Sequence, residues 1–557
     1  MNILGINCYA HDTSAALLMD GRPVAVGEQE RFDREKHSYA FPDDAIAFCL
    51  GEGGITIADV DVVAFGHDAA SGFARGAADA LGRFPRGAKR LTVHARADLG
   101  RRRRRRGFLE RWGFGGTVVD VGHHRAHAAA AFLSSPFEDA AVLTVDRGGD
   151  FLSTTGGHGR GVRVHPLVEI RQPHSLGEVY TAVTSWLGFA PHSGEGTVMG
   201  LAPYGGDACV EAFRDLVRLH PPGEFRVDLD WFRYQLGGGP VSRRFLDRFG
   251  PAREPGGGLD DRHRDVAFAL QAVTEEAAVH VARALHERTG SRNLALGGGL
   301  ALNSAMNARL LADTPFEEVF VQPAAGDAGN ALGAALHVWH EVLARPREWR
   351  MDHAYLGSGF GRGEVERALA GRGLRARAAG DPADAAAELL SRSKIVGWFQ
   401  GRAEVGPRAL GARSILADPR RADMRDVLNA RIKRREPFRP FAPSVLHERG
   451  ADWFAGYRNN PFMLLVQPVR ADRRDAIPAV THVDGTARLQ SVDGASPLFR
   501  RLLERFDART GVPVVLNTSF NLRGEPIVQR PEEAVADFLA TDMDALVLGD
   551  VVVEKDA

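Results

Sequence analysis

Leu294-Ala295-Leu296-Gly297-Gly298-Gly299 is a short apolar run that ends in three consecutive glycines. The apolar residues read as a buried strand and the glycines as a tight turn. Just before it, residues 266–288 carry a helical apolar pattern that stops at Gly290, a residue suited to the position after a helix. Helix, buried strand and glycine turn in this order are the signature of an α/β fold. Two further strand-and-glycine elements precede this one. Residues 3–6 run through Asn7 to Ser14 into Ala15-Ala16-Leu17-Leu18-Met19 and the turn Asp20-Gly21, a hairpin whose loop holds His11, Asp12 and Ser14. Val142-Leu143-Thr144-Val145 leads into Asp146-Arg147-Gly148-Gly149. Each turn alone reads equally well as a tight turn between core strands. Taken in order, the three could converge on one nucleotide, with backbone N–H groups facing its phosphates.

His123-His124-Arg125-Ala126-His127 follows the strand-like Thr117-Val118-Val119-Asp120-Val121 and opens an alanine-rich helical run. His123 and His127 are four positions apart, so on a helix they project from one face. Two neutral imidazoles at that spacing can grip one metal ion, and a carboxylate or two from elsewhere would complete the site. Asp146 qualifies, because it ends a buried-looking strand. A polar helix start is the competing reading of the same residues.

The chain has 557 residues, enough for two or more domains, and at 44% hydrophobic it can bury large cores. Its formal net charge of -1 gives no global field toward nucleic acid or an acidic membrane. Cys8, Cys49 and Cys209 are far apart, with no disulfide framework and no CxxC pair, which fits a reducing cytoplasm. No apolar run is long enough to span a bilayer. The expectation is a cytoplasmic protein with neither a nucleic-acid nor a membrane partner. The one charge anomaly is Arg101 to Arg106, six arginines in a row. It reads as a solvated surface or as a basic lip for phosphate-bearing ligands, and no interleaved aromatic residues indicate base stacking.

Two halves separate near residues 345–375, where Gly357-Ser358-Gly359-Phe360-Gly361 is turn-like and a new mixed segment begins with Lys394-Ile395-Val396-Gly397-Trp398-Phe399. At this point longer motifs become recognisable. They are His11-Asp12-Thr13-Ser14-Ala15-Ala16, Glu30-Arg31-Phe32 with Lys36-His37, His123 to His127, and Gly200-Leu201-Ala202-Pro203-Tyr204-Gly205. In the second half come Glu404-Val405-Gly406-Pro407-Arg408-Ala409-Leu410-Gly411, Arg439-Pro440-Phe441-Ala442-Pro443-Ser444, Leu516-Asn517-Thr518-Ser519-Phe520-Asn521 and Arg523-Gly524-Glu525-Pro526. In these motifs the chain resembles the NodU/CmcH-type carbamoyltransferases nearly from end to end. The resemblance implies an α/β protein of two fused domains. Residues 1–350 would be a Kae1-like domain of the actin, Hsp70 and sugar-kinase superfold, and residues 351–557 a YrdC-like α/β domain.

The same resemblance implies an O-carbamoyltransferase. The second domain would make carbamoyl adenylate from carbamoyl phosphate and ATP. The first would pass the carbamoyl group to a hydroxyl of a small-molecule natural product, as in antibiotic tailoring. By resemblance, Arg408, Lys433, Arg439 and Arg488 form a phosphate-binding cluster, with Lys36 reaching across from the first half and Asn517 and Ser519 adding neutral hydrogen bonds. Guanidinium forks suit that task because they match phosphate oxygens two at a time. Surface ion pairing is the alternative reading of these cations. His123, His127, Asp146 and Asp327 match the family's metal ligands; two nitrogens and two oxygens suit Fe(II) or another divalent ion, and ATP would bring Mg2+. His11 matches the family's loop histidine, the expected base, because an imidazole of ordinary pKa near 6.5 suits proton abstraction from an alcohol. Asp12 is expected to orient it. Gly297, Gly298, Gly299 and Asn303 match an adenine-nucleotide loop. Thr197 departs from the family's usual lysine and removes one cation there, which Arg147 would partly replace. The acceptor pocket is expected beside residues 67–116 and 206–262, and homo-oligomerisation is left open.

Two other functions fit parts of the chain. A tRNA threonylcarbamoyl-transfer enzyme is disfavoured by the fused second half and by the lack of a basic face beyond Arg101 to Arg106. An Hsp70-like ATP-driven binding module would need neither the histidine pair nor the arginine cluster.

Overall fold

The computed structural model describes residues 1–8, 11–68, 76, 88–235 and 239–555, with backbone alone for residues 88–98. The chain forms two compact units. One comprises Met1–Gln29 and His37–Met351, and the other Glu30–Lys36 and Asp352–Ala557.

The first unit contains two five-stranded sheets built to one plan. The first sheet uses β1 (Asn2–Asn7), β2 (Ser14–Met19), β3 (Arg22–Glu28), β4 (Val62–Phe65) and β5 (Thr117–Asp120), in the order β3-β2-β1-β4-β5. β1, β2 and β3 form an antiparallel meander, and β4 and β5 add in parallel. The second sheet uses β6 (Asp139–Gly149), β7 (Leu152–Arg160), β8 (Arg163–Arg171), β11 (Asn293–Gly297) and β12 (Glu318–Val321); β9 (Val217–His220) and β10 (Glu224–Val227) pair apart as a hairpin. Its order is β12-β11-β6-β7-β8, again a meander with two parallel additions. A duplicated α/β plan of this kind accords with the superfold expected for this half. The inner parallel strands β4 and β11 are apolar and buried on both faces, whereas the outer strands β5 and β12 are partly exposed. The helix Asp261–Thr289 ends at Gly290 and leads into β11, as its pattern predicts.

Both sheets present their functional loops beyond the carboxyl ends of parallel strands, where ligands bind in α/β folds. The loop after β1 carries His11, the helix after β5 starts at His123, and Asp327 follows β12. β6 loses register between Val145 and Gly149, and such a bulge re-aims side chains, here at Asp146. The Asp20-Gly21 turn behaves differently from the expectation of three converging glycine turns. β2 runs antiparallel to β1, so this turn lies at the end opposite His11, against Met1 and Trp339.

The second unit is organised around one mixed eight-stranded sheet. Its strands are β13 (Ala376–Ala378), β14 (Val396–Phe399), β15 (Arg413–Ala417), β16 (Ala442–Leu446), β19 (Gln490–Val492), β20 (Val514–Ser519), β21 (Ala545–Leu548) and β22 (Val551–Glu554); β17 (Gln467–Pro468) and β18 (Thr486–Ala487) pair separately. The order is β13-β22-β21-β14-β15-β20-β16-β19. Helices Pro382–Ser391, Pro497–Thr510 and Pro531–Ala540 each begin with proline, whose fixed φ and missing N–H cost nothing in a first turn. They bury leucine, phenylalanine and alanine in one core with Trp398 and Phe399. Among the described residues, no helix is long and apolar enough to cross a membrane.

Candidate metal centre and anion site

The helix His123–Ser134 buries both histidines of the i, i+4 pair. Nε2 of His123 lies 3.1 Å from Nε2 of His127 and 3.2 Å from Asp146 Oδ2. Asp327 Oδ1 lies 3.5 Å from His123 Nε2 and 3.4 Å from His127 Nε2. The four ligand atoms all fall within 4.8 Å of one another, and all four residues are buried. Two imidazoles and two carboxylates gathered this closely, away from water, suit one divalent ion.

Electrostatics supports that fit. Burial opposes charge on His123, yet Asp327 and Asp146 outweigh it and raise its proton affinity to about 9. The proton is drawn by the same negative potential that would hold a cation. Burial also penalises the Asp146 carboxylate, but the hydrogen bond from His123 and the neighbouring imidazoles hold it well below the usual range. His124, on the same helix, behaves oppositely. Burial and its two histidine neighbours push its pKa down to about 3, so it stays neutral and bonds Thr144 Oγ1 at 2.7 Å.

The surrounding polar groups hold the ligands in place. The Gly299 N–H donates to Asp146 Oδ1 at 3.0 Å, and the His123 N–H donates to Asp150 Oδ2 at 2.6 Å. Asp150 also meets His67 Nε2 at 2.9 Å, and Asn330 Nδ2 sits 3.2 Å from His127 Nε2. Gly298 has φ +87°, and a Cβ there would lie 2.3 Å from the Val145 carbonyl oxygen. A Cβ on Gly149 would enter the His123 ring at 2.1 Å. These two glycines therefore let backbone approach the four clustered side chains. Asn303, matched to a nucleotide loop, spends its side chain locally: it caps helix Ser304–Asp313 through Met306 N at 3.0 Å and pairs with Gln271 at 2.9 Å. Thr197 is buried within helix Glu195–Leu201. Arg147 directs its guanidinium to His192 at 2.9 Å and Glu178 at 3.3 Å.

His11 Nδ1 lies 2.8 Å from Asp12 Oδ2, and its ring centroid is 4.8 Å from that of His192. The proton affinity of His11 is not ordinary. Burial lowers it, but Asp12 and Asp327 raise it further, to about 9. Of the six arginines, Arg104 donates to the Cys8 and Tyr39 carbonyls, Arg105 meets Asp120 at 2.6 Å and Arg106 meets Glu110 at 2.7 Å. The expected acceptor loops lie partly outside the described residues, at 69–75, 77–87 and 236–238.

In the second unit, burial and mutual repulsion depress the proton affinities of Arg408, Lys433, Arg439 and Arg488. Arg435, missed in the sequence, belongs with them; it stacks 4.5 Å from the centroid of Phe441 and bonds Asn429 Oδ1 at 2.7 Å. The arginines keep some accessible surface, 31% for the Arg439 side chain. Glu436 lies 3.8 Å from Arg439, and Asp537 acts on Lys433, so the cations outnumber the carboxylates around them. Lys433 Nζ donates to Ser519 O at 2.5 Å and Asn521 Oδ1 at 2.8 Å, and Lys36 adds to the charge it feels. Asn517 uses its amide N–H groups inside the core, on Ala409 O, Ser444 Oγ and Gln490 Oε1. Arg31 donates to the Gly406 carbonyl at 2.6 Å, tying residues 30–36 to the Glu404–Gly411 motif.

Comparison with known proteins agrees with the motifs. The family profile for the carbamoyltransferase N-terminus matches residues 2–336, and that for the C-terminus matches residues 387–555. An uncharacterized protein of Synechocystis sp. is 40% identical over 100% of this chain and 97% of its own. Nodulation protein NolNO of Sinorhizobium fredii is 40% identical over 99% of this chain and 80% of its own. Among solved structures, component A of the (R)-2-hydroxyglutaryl-CoA dehydratase of Acidaminococcus fermentans aligns with 62% of this chain and 100% of its own, at 13% identity and a TM-score of 0.33, too remote to bear on function. Both halves match one family in order, and the chain belongs to the NodU-type carbamoyltransferases, enzymes that move a carbamoyl group from a donor to a small-molecule acceptor.

Proposed function

We propose that the protein is an ATP-dependent O-carbamoyltransferase acting on a hydroxyl of a small-molecule natural product. The observation that carries this is the cluster Arg408, Lys433, Arg435, Arg439 and Arg488, crowded together against its own repulsion. Such crowding is costly unless a multiply anionic ligand repays it. Carbamoyl phosphate and the ATP triphosphate are anions of that kind. Carbamoyl phosphate would lose orthophosphate to water. The resulting carbamate oxygen would attack the α-phosphorus of ATP and expel pyrophosphate, leaving carbamoyl adenylate.

The first unit supplies the transfer step. His11 accepts the proton as the O–H bond of the alcohol breaks; the oxygen bonds the carbamoyl carbon, and AMP leaves with the electron pair. His123, His127, Asp146 and Asp327 would hold a divalent ion such as Fe(II), which when bound supplies Lewis-acid polarisation of a carbonyl.

The test is carbamoyl-phosphate-dependent release of pyrophosphate from ATP, followed by transfer to a panel of aminoglycosides, macrolides and polyketide glycosides. Arg439→Ala should abolish pyrophosphate release, because losing one partner of a buried charged contact costs roughly 2–5 kcal/mol. Supplied carbamoyl adenylate should still be consumed by that variant. Pyrophosphate release that ignores carbamoyl phosphate would overturn the reading.

A further inference from the structure

His37 stands in the sequence only as the end of a motif, yet it shares a carboxylate with the expected base. Asp12 Oδ2 lies 2.8 Å from His11 Nδ1, and Asp12 Oδ1 lies 2.8 Å from His37 Nδ1. One carboxylate thus bridges two imidazoles through its two oxygens. Asp12 and His37 both hold left-handed backbone, at φ 56° and 58°, and so does His192, which packs on His11, at φ 69°. Non-glycine residues adopt this region at a cost, and such strain gathers at functional sites. Three strained residues around one imidazole show that the fold holds this arrangement against local preference.

We propose that His11, Asp12 and His37 form a hydrogen-bonded relay in which Asp12 fixes both rings as Nδ1–H donors, making His37 a positioning residue for His11. An ionised carboxylate only accepts, so each Nδ1 facing it must carry the proton. The neutral His11 ring is then left with Nε2 as its acceptor, the atom the transfer step needs. The His11 Nδ1 proton stays in place when Nε2 takes the alcohol proton, and Asp12 balances the imidazolium that results. His37 acts through Asp12: by donating to one carboxylate oxygen it tempers the pull of that carboxylate on His11. Among the described residues, the other groups acting on His11 include Tyr39 and His192, in ring contact, and Arg147 and Asp327, which lower and raise its proton affinity. The assignment to transfer chemistry rests on the function proposed above, but the relay itself is tested without any acceptor.

The experiment is nitrogen-15 NMR of histidine-labelled full-length protein carrying Zn2+ as a diamagnetic ion, with His11 assigned by its loss in His11→Asn. Neutral His11 should appear in the Nδ1–H form. His37→Leu removes a donor from Asp12, so the His11 midpoint should rise, by about half a unit or more, and Asp12→Asn should lower it. His37→Gln keeps an N–H donor and should return the midpoint most of the way toward the parent value, which separates the relay from a loss of folding. An Nε2–H tautomer, or equal midpoints in His37→Leu and parent, would overturn the relay. So would a second bound Zn2+ per chain that disappears in His37→Leu, since the three residues would then be metal ligands. Failure of the carbamoyl-transfer reading would show in the pyrophosphate assay and leave these ring signals unchanged.

Discussion

His127 has a side chain only 1% exposed and faces His123, Asp327 and Asn330. Replacing it by alanine removes one of four ligand atoms and leaves two carboxylates close together. His127→Ala should lose the bound divalent ion, read by metal analysis of the purified protein, while pyrophosphate release in the second unit persists. An unchanged ion content would remove His127 from the ligand set. His11 carries a pH prediction. Its affinity is raised to about 9, so the proton-accepting form grows as pH rises through that value. Carbamoyl transfer should climb with pH toward about 9, and a divalent ion beside Asp327 should move the limb downward by offsetting that carboxylate. His11→Asn should lose the limb and about 10²–10⁴-fold in transfer rate, the usual share of a general base. A variant that keeps both would show that His11 only shapes its loop. At this scale the sequence was legible where residue type fixes chemistry, as at His123 and His127. It was silent on His192 and Asp150, which belong to no motif and reach the site through the fold.

Strand ends, together with the start of the helix after β5, place these residues. β6 breaks register to turn Asp146, and the glycine turn after β11 meets it with the Gly299 N–H. Gly298 cannot carry a side chain, on both its φ and the 2.3 Å approach to Val145. Gly298→Ala should therefore cost about 1–3 kcal/mol of stability, read as a lowered denaturation midpoint, and should weaken metal retention by moving the Asp146 partner. A variant of parent stability would mean that the turn relaxes freely. The strand-and-glycine reading held for the turn after β11; at Asp146 to Gly149 the glycines lie in the irregular end of β6, and the turn itself falls at Asp150-Phe151. It failed for Asp20-Gly21, because a glycine turn looks the same in sequence at either end of a strand, and antiparallel pairing put this one at the far end.

On the scale of the whole molecule, the chain pairs a duplicated α/β unit that gathers His123, His127, Asp146 and Asp327 with a second unit that gathers the cationic cluster around Arg439. The division predicts separable chemistry. Chelation of the divalent ion should stop carbamoyl transfer and leave carbamoyl-phosphate-dependent pyrophosphate release intact in buffer containing Mg2+. It should also lower thermal stability, since an ion present at 100 times its dissociation constant stabilises by about 2.7 kcal/mol. Equal loss of both half-reactions on chelation would defeat the division. The sequence by itself determined the α/β class and the family, and it named His123, His127, Asp146 and Asp327, which the fold gathers, because apolar periodicity, glycine placement and long motifs are local properties of the chain. Only the tertiary structure decided which cations crowd together, that Asn303 and Asn517 spend their amides on neighbouring protein groups, that Glu30–Lys36 folds with residues far along the chain, and that Asp12 bridges two histidines. Those facts depend on distances between residues remote in sequence, which are set by how sheets pair and cores pack and are written in no single stretch.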